Sequence, residues 1–276
     1  MEFTKMHGLG NDFIIITATE AEKINSFSHF SLKACNRHFG IGADGVIFVL
    51  TSEKERVKIR IFNSDGTEAE MCGNGIRCLA RFVYEKGIVK EKKFPVETLA
   101  GIIIPEIIKE KDRIKSIRVD MGEPSFDPEK IPVNISNPLS HPIQVGEKIF
   151  LFTALSTGPP HTVIFEIPED WEKLGKEIEK HIFFPGKTNV DFVNILNKEE
   201  AIVKVWERGA GATLACGTGA CAVTAAGVMN KLLERKVKIH LPGGTLFIEW
   251  SAKNNHLYME GSAEEVFRGE IPDGII

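Results

Sequence analysis

Cysteine is scarce in this chain: five in 276 residues, an odd number at scattered positions, Cys35, Cys72, Cys78, Cys216 and Cys221. So sparse a set argues against a disulfide framework and for free thiols in a reducing compartment, which predicts a cytoplasmic location. Glutamine is scarcer still, with Gln144 alone beside abundant Lys, Glu and Ile, a bias that fits a thermophilic source. No apolar run is long enough to cross a bilayer. The opening segment M-E-F-T-K-M-H-G-L-G-N-D-F-I-I-I-T has an early acid and only a short apolar stretch, so it reads as a strand rather than a signal peptide. Charge of one sign is missing too: 34 basic against 38 acidic residues leave -4, which gives no footprint of nucleic-acid or membrane binding. What remains is an ordinary globular composition, 43% hydrophobic and 26% charged, in a chain long enough for two domains.

Short β-branched runs dominate: Phe13 to Thr17, Val46 to Leu50, Val57 to Phe62, Ile102 to Ile108, Ile114 to Val119, Phe150 to Ala154, Thr162 to Ile167, Ala201 to Trp206, Val237 to His240, Thr245 to Trp250 and Leu257 to Glu260. Gly, Pro, Asn and Asp turns such as Asn63-Ser64-Asp65-Gly66 separate them, so they predict strands. Helical periodicity appears at Ile76 to Lys86 and Ala220 to Leu233, each just after a Cys-Gly-x-Gly, with a shorter candidate at Trp171 to His181.

The two Cys-Gly-x-Gly segments belong to a longer repeat. Cys216 follows Cys72 by 144 residues, and at that offset V-K-I-R-I-F (Val57 to Phe62) overlies A-I-V-K-V-W (Ala201 to Trp206). Each half reads strand, polar turn, Cys, helix. Upstream, N-D-F-I (Asn11 to Ile14) resembles N-V-D-F-V (Asn189 to Val193) at a different offset. A duplicated domain is the economical reading, with the halves facing one another across a cleft suited to a small molecule. The expected boundaries are 1–118, rejoined by 264–276, for the half carrying Cys72, and 119–263 for the half carrying Cys216.

A cysteine at a helix start sits near the positive end of the helix dipole, about half a charge, which favours thiolate. Gly73-Asn74-Gly75 and Gly217-Thr218-Gly219 let backbone N–H groups approach an anion such as a carboxylate. Two such devices face to face can place one α-carbon between two sulfurs, one removing a proton and the other returning one to the opposite side. That is racemisation or epimerisation with no cofactor, helped by preorganised donors on the carboxylate. Cys35, Cys78 and Cys221 read as small buried hydrophobes. A structural zinc site does not fit the C-x5-C and C-x4-C spacings, so no metal is expected. G-T-G-A-C-A (Gly217 to Ala222) also satisfies a dinucleotide pattern, but no acid follows about 20 residues on. A nucleotide-binding module is therefore the alternative of a different class.

The motifs H-G-L-G-N-D-F (His7 to Phe13), N-S-D-G-x-E-A-E-M-C-G-N-G-x-R-C (Asn63 to Cys78), N-V-D-F-V and E-R-G-A-G-x-T-x-A-C-G-T-G-A-C-A (Glu207 to Ala222) resemble the diaminopimelate epimerase family over nearly the whole chain. The resemblance implies an α+β fold of two pseudo-symmetric domains, each a curved, mainly antiparallel sheet wrapped around a central helix. It implies interconversion of L,L- and meso-diaminopimelate without pyridoxal phosphate or any other cofactor, in lysine and peptidoglycan precursor synthesis, by a homodimer acting on a small amino acid. Carried over by motif, Cys72 and Cys216 are acid and base, assisted by His161 and Glu207. The backbones of Gly73, Asn74, Gly217 and Thr218 hold the reacting carboxylate, and Asn11, Asn63, Asn189 and Arg208 grip the distal centre. Arg208 suits a bidentate carboxylate contact and Glu207 could also accept from a substrate ammonium. Read as residues alone, the asparagines could serve turns, Arg208 a surface ion pair and His161 a loop.

One departure stands out. The family's G-N-P-H is here G-P-P-H, Gly158 to His161, and Pro159 has no polar side chain and no N–H. Loss of a distal contact affects discrimination more than proton transfer, so a broader amino acid racemase, acting for example on lysine, is the runner-up.

Overall fold

The structure is a computed structural model that describes residues 1–53 and 55–272. The chain divides into two units, one of Met1–Val119 with the chain from Gly261 onward, the other Asp120–Glu260.

In the first unit the elements are β1 (Glu2–Gly8), β2 (Asn11–Ile16), α1 (Ala18–Ala21), α2 (Phe27–Ala34), β3 (Gly45–Leu50), β4 (Val57–Asn63), β5 (Glu68–Ala69), α3 (Gly73–Glu85), β6 (Val96–Thr98), β7 (Gly101–Ile103), β8 (Glu106–Glu110) and β9 (Arg113–Asp120). The sheet runs β1-β2-β3-β4-β6-β7, with β5 paired to β4. The β2–β3 and β4–β6 joints are parallel and the rest antiparallel. Successive side chains of a strand point to opposite faces, and β3 shows the result. Val46 and Phe48 join Phe30 of α2 and Phe62 in one cluster, with Phe27 stacked on Phe48 at 4.0 Å between centroids. The intervening Ile47 turns the other way, and with Ile61 of β4 it reaches Gly75 at the start of α3. One helix thus covers each face of the sheet, which leaves neither apolar face in water.

The second unit comprises β10 (His141–Val145), β11 (Lys148–Ser156), β12 (Pro160–Ile164), α4 (Trp171–Ile178), β13 (Asn189–Asn197), β14 (Glu200–Glu207), β15 (Gly211–Thr213), α5 (Gly217–Met229), β16 (Lys236–Leu241), β17 (Gly244–Trp250) and β18 (Leu257–Gly261). Its strands run β10-β11-β12-β13-β14-β16-β17-β18, with β15 paired to β14 and parallel joints at β12–β13 and β14–β16. The last strand, β19 (Glu264–Glu270), pairs with β1 and so belongs to the first unit. Helix α5 packs against β11, β12, β13, β16 and β17 and is buried from Gly217 to Gly227 apart from Thr218. A helix enclosed in this way is apolar on every side. Its end comes at Met229, earlier than the apolar pattern through Leu233 suggests, because Lys231 turns left-handed (φ 61°) and the Leu232 N–H bonds back to the Gly227 carbonyl at 2.8 Å.

The repeat is visible in topology. β1-β2-α2-β3-β4-β5-α3-β6-β7 corresponds in order and strand sense to β11-β12-α4-β13-β14-β15-α5-β16-β17. This corrects the upstream overlay: Asn11 opens β2, whose counterpart is β12, whereas Asn189 opens β13, whose counterpart is β3. Both asparagines precede a buried apolar run, and local composition does not record which neighbour a strand will take. The expected strand Ile102 to Ile108 is two strands, interrupted at Ile104-Pro105 because proline supplies no N–H to a ladder. Helix α2, capped by the Ser26 oxygen accepting the His29 N–H at 3.3 Å, has no strong sequence signal, nor do β6, β10 and the charge-rich β19. Among the described residues no helix is long and apolar enough to cross a membrane.

Candidate active site

Both central helices begin in the same unusual way. Cys72 (φ -140°, ψ 117°) and Cys216 (φ -119°, ψ 111°) are extended residues at the N-caps of α3 and α5, each helix 13 residues long. Each sulfur accepts the N–H of the residue three positions on, Gly75 at 3.5 Å and Gly219 at 3.4 Å. The N-cap normally takes an oxygen from Ser, Thr, Asp or Asn to satisfy a free helix donor. Here a thiol does so, and the helix end in turn favours the thiolate.

In the first unit a line of side chains orients the surroundings of Cys72. Asp44 Oδ2 accepts from Asn11 Nδ2 at 2.9 Å. Asn11 Oδ1 accepts from Asn74 Nδ2 at 3.1 Å and from Cys72 Sγ at 3.7 Å. Arg77, wholly buried in α3, donates to Asn74 Oδ1 at 2.8 Å, to the Gly73 carbonyl at 3.3 Å and to the Ser262 carbonyl at 3.2 Å. Asp44 is itself held by Arg37 at 2.8 Å, and Arg37 also grips Asp12, which pairs with Lys5 at 2.7 Å. Burial alone would raise the Asp12 carboxyl, but the Arg37 and Lys5 bonds outweigh it and bring its pKa to about 2.

In the second unit Cys216 lies among groups from three strands. Thr218 Oγ1 is 3.3 Å from its sulfur, His161 Nε2 is 3.1 Å from Thr218 Oγ1, and His161 Nδ1 is 2.7 Å from Asp191 Oδ2. The parallel β12–β13 register explains the last contact. His161 stands opposite Asn189, so Asp191, two residues further on, projects from the same face within diagonal reach. Glu207, at the end of β14, accepts from Thr213 Oγ1 at 2.5 Å and hydrogen-bonds the Cys216 thiol. Burial raises the Glu207 carboxyl above its ordinary range, partly offset by Thr213. Burial also pushes the Cys216 thiol well up, and the Glu207 and Asp191 carboxylates add to that, against the Thr218 hydroxyl and the Gly219 N–H. Burial and the two carboxylates thus favour the thiol form of Cys216. The glycines after it answer to space: a Cβ on Gly217 would come within 2.7 Å of Met259 Sδ, and one on Gly219 would collide with the Asp191 carboxylate.

The remaining expected site residues are tied elsewhere. Asn63 is exposed and donates to Thr67 Oγ1 at 3.0 Å inside its own turn. Asn189 donates to the Pro160 carbonyl at 2.9 Å and accepts the Arg208 N–H at 2.8 Å, while the exposed Arg208 side chain donates to the Gly186 carbonyl at 3.0 Å. Asp44, Arg77 and Asp191 were not singled out by sequence reading. Arg77 and Asp191 did carry a signal, a charge set within an otherwise buried helix face and a buried strand; Asp44 carried none. Among the described residues no group of three His, Cys, Asp or Glu side chains is arranged to hold a metal ion.

Comparison with known proteins converges on one family. The family model described as diaminopimelate epimerase matches residues 3–126 and 153–266. The chain is 50% identical to the diaminopimelate epimerase of Pelotomaculum thermopropionicum over 279 residues, covering 99% of each. It is equally 50% identical to that of Moorella thermoacetica, again covering 99% of each. Among solved structures it is similar to a phenazine biosynthesis protein of the PhzF family from Bacillus anthracis, with TM-score 0.72, 15% identity and 99% of both chains covered. A hydroxyproline epimerase from Agrobacterium vitis gives TM-score 0.70 at 14% identity, covering 98% of this chain and 90% of that one. At such identities these two share the fold, two sheet domains with few helices. By the family match and the identity over its full length, this chain belongs to the diaminopimelate epimerase family of isomerases.

Proposed function

We propose that the chain interconverts L,L- and meso-diaminopimelate by a two-base proton transfer in which Cys72 and Cys216 are the acid and base. The observation that carries the reading is the pair of thiol N-caps: equivalent helices in a duplicated topology, each beginning with a sulfur held by a backbone N–H and followed by glycine. Each thiol stands beside the N–H groups of a helix start, which suit a carboxylate. Those of Gly73, Asn74, Gly217 and Thr218 hold the reacting carboxylate in this reading, and stabilise the carbanionic transition state by drawing charge into it. The reaction requires both sulfurs to flank one α-carbon.

Electrostatics gives each thiol a different partner. Cys72 donates to an amide oxygen that Asp44 fixes in place. Cys216 is flanked by Glu207, which assists it, and by the Thr218 and His161 pair. On this reading Arg208, Asn189 and Asn63 must exchange their present bonds for the distal amino acid centre as substrate binds. The enzyme works as a cytoplasmic homodimer; its free cysteines suit that compartment, and dimerisation follows the family.

The test is proton NMR of L,L-diaminopimelate in deuterated water with reduced enzyme and chiral analysis of the product. Loss of one α-proton signal with formation of the meso isomer, abolished in Cys72→Ala and in Cys216→Ala, supports the reading. Unchanged turnover in both variants refutes the mechanism. Exchange with lysine but not diaminopimelate moves the substrate, with Pro159 the first residue to restore to asparagine.

A further inference from the structure

Helix α4 ends on a buried acid. Glu179 is its C-cap residue and is only 4% exposed. A carboxylate there is unfavourable twice over, through lost hydration and through the negative end of the helix dipole. Its partners offset both. Oε2 accepts the Trp206 indole N–H at 2.9 Å, and Oε1 lies 3.6 Å from the Lys187 ammonium. Burial raises the Glu179 carboxyl, yet the Trp206 bond, the Gly209 N–H and the Lys187 charge together bring it below its ordinary range.

Those partners surround one residue, Arg208. Trp206 and Gly209 stand on either side of Glu207 and Arg208, in a turn closed by the Ala210 N–H on the Glu207 carbonyl at 3.1 Å. Lys187 follows Gly186, whose carbonyl accepts from the Arg208 guanidinium. The main chain of Glu179 adds a third tie. Its carbonyl accepts the Thr188 N–H at 3.3 Å, next to Asn189, whose side chain holds the Arg208 N–H. The indole is itself clamped: a Cβ on Gly175 of α4 would come within 2.7 Å of Trp206 Cβ, and one on Gly211 would touch the far edge of the ring at 3.6 Å. Both segments that hold Arg208 therefore lead back to Glu179.

We propose that Glu179 is a positioning residue for substrate binding: through Trp206 and the 186–188 segment it fixes the backbone from which Arg208 reaches the distal carboxylate of the substrate. The proposal rests on the reading of Arg208 as a grip on that distal centre. With its backbone held, only the exposed Arg208 side chain has to move when it leaves the Gly186 carbonyl for the substrate, so less freedom is lost on binding. Glu207 depends on Glu179 less, since it has its own bonds to Thr213 and to the Cys216 thiol. The device thus acts on affinity for a two-centred amino acid and leaves proton transfer largely alone. Glutamine is no substitute for the carboxylate, because its amide nitrogen would meet Trp206 or Lys187, both of them donors.

Steady-state kinetics with diaminopimelate test the assignment. Glu179→Gln is expected to raise KM on the order of tenfold while kcat changes no more than about threefold. Trp206→Phe keeps the ring against Gly175 and removes the indole N–H, and it gives the same split. In an Arg208→Ala background Glu179→Gln adds nothing to KM, because both changes act on one contact. Wild-type KM in Glu179→Gln and Trp206→Phe overturns the proposal. So does a fall in kcat at constant KM with a lowered melting temperature, which is what a merely structural role gives. Fully additive KM effects of Glu179→Gln and Arg208→Ala overturn it as well. Should Arg208→Ala leave KM unchanged, the proposal falls together with the reading of Arg208, and that reading is the one at fault.

Discussion

Asp44 accepts the Asn11 side-chain amide at 2.9 Å, and this bond decides which end of Asn11 meets Cys72. With Nδ2 engaged, the amide oxygen faces the thiol and Asn74. Removing the acceptor in Asp44→Ala frees the amide to rotate and present a donor to the sulfur. A hydrogen bond to a charged group is worth about 1.5 to 3 kcal/mol, so turnover should fall on the order of tenfold or more, while Asp44→Asn, which keeps an acceptor oxygen, loses less. Steady-state rates of the two variants check this, and equal rates for Asp44→Ala and wild type would count against the orienting role.

Gly75 and Gly219 hold equivalent places in their helices but unequal space. A methyl on Gly75 meets Ile47 and Ile61 at an ordinary 3.4 Å, whereas on Gly219 it strikes the short, hydrogen-bonded Asp191 side chain. Gly75→Ala should leave thermal stability near wild type. Gly219→Ala should cost about 2 kcal/mol through overpacking and displace Asp191 from His161. Melting curves distinguish the two, and similar losses in both would show that helix position, not Asp191, sets the requirement.

Glu207→Gln should separate stability from activity. Burial raises the Glu207 carboxyl in the folded state, so folding favours the protonated form, and ionisation costs stability as pH rises from the unfolded carboxyl value through the folded one. Glutamine keeps the oxygen for Thr213 without the charge. The variant should melt at or above the wild-type temperature at neutral pH, with the difference shrinking in acid, while turnover drops at least tenfold. It also removes a negative charge beside Cys216, so that thiol should ionise at lower pH when followed by thiolate absorbance in a Cys72→Ala background.

Asp12 behaves in the opposite sense. Its folded pKa of about 2 lies below the ordinary value of 3.8, so its bonds to Arg37 and Lys5 contribute stability that is present above that ordinary value and is lost as pH falls toward 2. Asp12→Asn should melt lower than wild type at neutral pH, and the gap should close between about pH 4 and pH 2. A gap independent of pH would assign the loss to packing.

The candidate site was legible in sequence to unequal depth. The thiols, their glycines and the 144-residue repeat could be read because each is a local pattern. Glu207 and Thr218 were reached through the family motif that runs from Glu207 to Ala222. Asn63 and Asn189 show the limit: their motif membership is plain, yet the structure ties both amides to nearby backbone or turn groups. Asn11 was expected at the distal end of the substrate, and the fold sets it against Cys72 and Asn74.

What the sequence by itself determined, then, is the chemistry on offer: two cysteine-capped helices, because a cap, a glycine and an apolar period are encoded within a few residues. Which groups surround each sulfur was decided only by the tertiary structure. Asp44 reaches Asn11 across 33 residues of chain and Asp191 reaches His161 across 30. Both contacts exist because two strands adjoin in parallel, β2 with β3 and β12 with β13. Strand order and register follow from burying two faces of each sheet at once, a global condition that no local stretch of sequence records.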